Sequence, residues 1–70
     1  MTFYTIFIAQ VQFQDPCGFI RQAQVKCVGL DEIQGAAEAI TVTNNRLKRS
    51  GGGEVLDVLG LRPVELVRCG

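Results

Sequence analysis

The chain has 70 residues, seven Lys and Arg against seven Asp and Glu, no His, and a hydrophobic content of 47%. This describes one small globular domain over residues 1–70, too apolar for a disordered tail and without the net positive charge that marks a whole chain as a nucleic-acid binder. The missing His excludes Ser-His-Asp and Cys-His catalysis and most zinc sites, and no stretch reaches the roughly 18 apolar residues of a membrane span.

The start has no basic leader and reads as a strand rather than a targeting segment. From Phe3 to Phe13 the odd positions Phe3, Phe7, Ala9, Val11 and Phe13 are apolar, interrupted by Thr5. That period of two is the signature of a buried sheet face. The even positions change character: Tyr4, Ile6 and Ile8 are apolar, whereas Gln10, Gln12 and Gln14 are polar. The first half of the strand is therefore apolar on both faces.

Asp15-Pro16-Cys17-Gly18 forms a turn, in which Pro sets φ, Asp bonds the local backbone and Gly accepts positive φ. Phe19 to Val28 alternates again, with Phe19, Ala23, Val25 and Cys27 on one face and Gln22, Gln24 and Lys26 on the other. The two strands form a hairpin. Pairing Phe13 with Phe19 sets Phe7 opposite Val25 and Gln10 opposite Gln22; a slip of two residues keeps the same parity, so the register stays open.

In Leu30-Asp31-Glu32-Ile33-Gln34, Asp31 is the expected N-cap, Gln34 occupies the capping-box position and Glu32 meets the positive end of the helix dipole. Ile33, Ala36, Ala37 and Ile40, with Leu47 beyond them, make the expected buried stripe over the Phe face of the hairpin. The helix should end between Asn44 and Arg49. Ser50 to Gly53 is a link, Glu54 to Leu61 a third strand, and Arg62-Pro63 a break before a short fourth strand, Val64 to Arg68. After a hairpin, a helix returning across the sheet delivers the third strand beside the first and antiparallel to it. The expected fold is α+β: an antiparallel sheet of three to four strands (β-β-α-β-β) with one helix on one face and the first strand central.

Chemistry-bearing clusters are sparse. Carboxylates Asp31 and Glu32 are explained by capping, and Glu54, Asp57 and Glu65 lie along the late strands. Gly51-Gly52-Gly53 lacks the Lys-Ser/Thr end of a phosphate loop and precedes a strand where such a loop needs a helix. Cys17, Cys27 and Cys69 are odd in number and without CxxC spacing, which points to a reducing cytosol rather than a disulfide framework. Cys17, in the turn, is a candidate reactive thiol; Cys27 belongs to the core face. No cofactor or metal is expected.

Two surfaces remain. Tyr4, Ile6, Ile8 and Val28, with some of Leu56, Val58, Val64 and Leu66, would form an apolar patch that a single helix cannot cover. Such a patch marks a dimer or partner surface unless the C-terminal segment folds over it. Gln10, Gln12, Gln14, Gln22 and Gln24 lie beside it. Arg46, Lys48 and Arg49, with Asn44 and Asn45, form the one basic cluster, suited to phosphates or an acidic partner, or to the helix dipole alone.

In organisation, the segments YTIFIAQVQF, FIRQAQVKCVG, LDEIQGAAEAI and GGEVLDVLGL resemble the small phage-encoded anti-CRISPR proteins built as a β-β-α-β sheet with one helix. The likeness covers most of the chain and rests on element order and length. It implies a protein that sticks to a CRISPR effector complex and blocks nucleic-acid access or nuclease recruitment; the expected function is a non-enzymatic cytoplasmic binding protein, phage or mobile-element encoded, that masks a surface on a macromolecule. The functional residues of such proteins vary, so none is carried over.

Overall fold

A computed structural model describes residues 2–69, the side chain of Cys69 excepted. The elements are β1 (Thr2–Gln14), β2 (Ile20–Gly29), α1 (Glu32–Arg49) and β3 (Glu54–Cys69). The sheet is antiparallel with order β2-β1-β3, so the most apolar strand is central, as expected from the order of the elements.

The hairpin register differs by two residues from the pairing expected: Phe13 faces Arg21, Phe7 faces Cys27 and Gln10 faces Gln24. The turn chemistry fixes it. One carboxylate oxygen of Asp15 accepts from the backbone N–H of Cys17 (3.0 Å) and of Phe19 (2.9 Å), while the Asp15 N–H donates to the Phe19 carbonyl (2.9 Å). The loop is thereby closed between Asp15 and Phe19, which leaves Gln14–Ile20 as the last ladder pair. Phe19 falls outside the strand and is 63% exposed.

The helix begins as its sequence dictates. The Asp31 side chain accepts from the Gln34 N–H at 2.8 Å, and the Gln34 side-chain oxygen accepts from the Leu30 N–H at 2.8 Å. Its end is at Arg49, with the β-branched Thr41-Val42-Thr43 inside; the hydroxyls of Thr41 and Thr43 donate to the carbonyls of Ala37 (3.1 Å) and Ala39 (2.8 Å).

The buried stripe is rotated from the one expected. Gly35, Ala39, Thr43 and Leu47 face the sheet, whereas Ile33 is 82% exposed and Ala37 and Ile40 also lie outward. The reason is steric. Phe7 fills the space between helix and sheet, and a Cβ at Gly35 would stand 2.7 Å from its ring, so the smallest residues of the helix must face it. The core is Phe7, Ala9, Val11, Val25, Cys27 and Ala39, with Val42, Val55, Val58 and Leu61 packed on it.

The expected fourth strand is not formed: β3 runs through Arg62-Pro63 without interruption. Pro63 is tolerated because β3 is an edge strand, where a missing N–H need not break a ladder. Irregularities in the β1–β3 pairing, between Ile6/Phe7, Gln10/Val11 and Gln12/Phe13, leave Val64, Leu59 and Leu56 as the extra residues. No described helix is long and apolar enough to cross a membrane.

Candidate functional site: the open sheet face

The helix covers the odd-numbered face of β1, leaving the even-numbered face without a covering layer among the described residues. The C-terminal segment does not fold over it, because it continues β3 in the plane of the sheet. Directly opposed residues of an antiparallel pair share a face, so the register reads out this surface row by row. Tyr4 is beside Val67. Ile6 stands between Val28 and Glu65, Ile8 between Lys26 and Arg62, Gln10 between Gln24 and Gly60, and Gln12 between Gln22 and Asp57.

Tyr4, Ile6, Ile8 and Val28 therefore share one surface, with Val28 39% exposed and the other three half-buried. Of the additional residues suggested by sequence, Val58 belongs to the core and Leu66 faces Thr5 on the helix side, while Leu56 and Val64 are exposed bulge residues. Val67, Arg62, Glu65 and Gly60 were not identified as part of this surface by the sequence pattern. The bulges in β3 change the parity of its alternation, so the open-face residues are odd-numbered at Val67 and Glu65 and even-numbered at Arg62 and Gly60.

The polar half of the face is organised by its glutamines, the Gln10 amide donating to the Gln22 side-chain oxygen at 3.0 Å. Between the two halves, the missing side chain of Gly60 leaves a notch of about 230 Å³ lined by Ile8, Gln10, Gln24, Leu61 and Arg62. A Cβ at Gly60 would meet nothing closer than the Gln10 Cβ at 4.0 Å.

Compared with family models, curated proteins and solved structures, the chain matches none.

The basic cluster lies elsewhere. Arg46, Lys48 and Arg49 occupy the last turn of α1, all toward solvent or at the helix edge, where they complement the negative end of the dipole. Arg46 also borders a second crevice of about 230 Å³ with Phe13, Ala23, Val25 and Leu47, under the Asp15 turn. Asp15 is already engaged there: Arg21 Nε donates to its second oxygen at 2.6 Å, the one ion pair among the described residues. The Arg21 hydrogen bond, helped by the backbone donors of Phe19 and Cys17 and opposed by partial burial, holds the Asp15 carboxyl below its usual range.

The thiols separate by environment. Cys17 is exposed in the turn, and Cys27 is buried, its Sγ 3.9 Å from the Phe7 carbonyl. Burial, with the charge of Glu38 adding to it, pushes the Cys27 thiol up, consistent with an inert core residue. The side chain of Cys69 lies outside the described residues. No group of three or more His, Cys, Asp or Glu side chains among those described is placed to hold a metal.

Proposed function

We propose that this protein is a non-enzymatic cytoplasmic binding protein that masks a surface on a macromolecule by docking its open sheet face. The observation that carries this reading is the surface of Tyr4, Ile6, Ile8, Val28 and Val67, held on the central and flanking strands with no layer over it among the described residues. A rigid sheet loses little conformational freedom on docking, and apolar side chains bordered by charged and glutamine residues have the composition of an interface centre with its rim. The mechanism is steric, with no bond made or broken. The organisational resemblance to phage-encoded inhibitors supports the same class and an origin in a phage or mobile element.

The test is the pair Ile6→Asp and Ile8→Asp. Both should keep the circular dichroism and cooperative melting of the wild type, with stability changed by no more than about 1 kcal/mol, and both should lose association. Unfolding of either variant would assign these residues to the core and overturn the reading.

A second reading, phosphate contact through Arg46, Lys48 and Arg49 in a nucleic-acid-binding module, draws on three cations that make no ion pair among the described residues. It predicts binding to nucleic acid that weakens steeply between low and moderate salt and is lost when Arg46, Lys48 and Arg49 are replaced; docking through the apolar face predicts no such binding.

A further inference from the structure

The open face has a symmetry that selects its occupant. We propose that a second copy of this chain docks on it, face to face, about a two-fold axis that crosses the strands level with Phe7. The proposal rests on the reading of this face as a docking surface and names its occupant in the free protein, a second copy that must leave before the face can mask another macromolecule.

Stacked sheets keep their strands roughly aligned, about 10 Å apart. A two-fold axis lying between the sheets and across the strands reverses strand direction while setting β1 over β1 and β3 over β3. Level with Phe7, it brings Ile6 of each copy over Ile8 of the other, and Val28 over the aliphatic stem of Lys26. On β3, it brings Glu65 over Arg62. Each of these follows from the rows Val28–Ile6–Glu65 and Lys26–Ile8–Arg62, and each occurs twice.

One row further out, the same operation sets Tyr4 and Val67 of each copy over Gln10 and Gly60 of the other. That is the position of the Gly60 notch, whose volume of about 230 Å³ gives room for the protruding side chains. Apolar contact, charge and shape thus agree on one axis.

Two alternatives of similar overlap fail on charge. An axis running along the strands would set Lys26 against Arg62, and an axis across the strands level with Ala9 would set Glu65 against Asp57. Like charges brought together in an interface are strongly unfavourable. The area is sufficient as well. Rows Thr2 to Gln12 overlap over a length of roughly 35 Å at about 3.3 Å per residue. Three strands at about 4.8 Å spacing make a face about 14 Å wide, so the two copies cover about 1,000 Å² in total, the lower bound for a specific interface.

The experiment is solution mass against concentration, by light scattering under reducing conditions, on the wild type, Glu65→Arg, Arg62→Glu, and an equimolar mixture of the two variants. The wild type should be a dimer. Each variant alone should be a folded monomer, with a dissociation constant raised roughly a hundredfold, because it sets like charges face to face. The mixture should regain the dimer mass. At these two positions the Glu65→Arg chain carries only guanidinium groups and the Arg62→Glu chain only carboxylates, so every facing pair in the mixed dimer is again of opposite charge. An ion pair within one chain cannot be repaired by mixing, so this result separates the interface from a local effect.

Gly60→Val provides an independent check. Gly60 has no left-handed φ, and an added Cβ has space, so the monomer should fold while the filled notch prevents docking. A wild type that is monomeric at about 1 mM, single variants that still dimerise, or a mixture that stays monomeric would each overturn the proposal. The broader reading of the face falls on a different result, the unfolding of Ile6→Asp or Ile8→Asp.

Discussion

Gly35 of α1 lies against the ring of Phe7 on β1, so close that a Cβ at Gly35 would stand 2.7 Å from one ring carbon and 2.9 Å from another. This contact sets the distance and rotation of the helix over the sheet. It also explains a glycine inside a helix, which would otherwise be a weakness of about 1 kcal/mol.

Gly35→Ala should therefore destabilise the protein even though alanine is the better helix former. Overpacking costs about 1–3 kcal/mol, and the gain in helix propensity offsets about 1 of it, leaving a net loss of up to about 2 kcal/mol. Chemical denaturation measures it directly. Combining it with Phe7→Leu should recover part of the loss relative to the sum of the single changes, a coupling of at least about 0.5 kcal/mol. An additive double variant would mean that helix placement does not depend on this contact.

The Asp15 turn gives a pH dependence with a definite sign. The folded carboxyl lies below its ordinary value, chiefly through the Arg21 hydrogen bond and then the N–H groups of Phe19 and Cys17. Its contribution is fully present above about pH 4, the unfolded value, and is lost as pH falls through the lowered folded value. Asp15→Asn should melt at a lower temperature than the wild type at pH 7, and the two melting temperatures should converge in acid. A difference independent of pH would remove the carboxylate charge as its source.

The sequence specified those features that depend on local pattern. Alternation in Phe3 to Phe13 identified the central strand, and Asp31 with Gln34 marked the helix start that the hydrogen bonds bear out. Tyr4, Ile6, Ile8 and Val28 followed from parity alone, and the same parity is why a two-residue slip in the hairpin was invisible. Alternation could not place Arg62, Gly60 and Glu65 on the open face, because β3 changes parity at its bulges. The helix rotation was hidden for a different reason: Gly35 and Ala39 carry almost no hydrophobic signal, whereas Ile33 and Ile40 carry a strong one.

That rotation yields the last prediction. Ile33 looks like the first residue of the buried stripe, yet it is 82% exposed in the first turn of α1. Ile33→Glu should change stability by no more than about 0.5 kcal/mol, as expected for a surface site, with a carboxylate near the helix N-terminus favoured by the dipole. Ala39 looks unimportant and is fully buried in the core. Ala39→Leu adds volume to a filled layer and should cost about 1–3 kcal/mol. The two measurements are made by the same denaturation curve, and they must differ in this order. If Ile33→Glu were the more costly change, the helix would present its isoleucines to the sheet, and the contact between Gly35 and Phe7 could not exist.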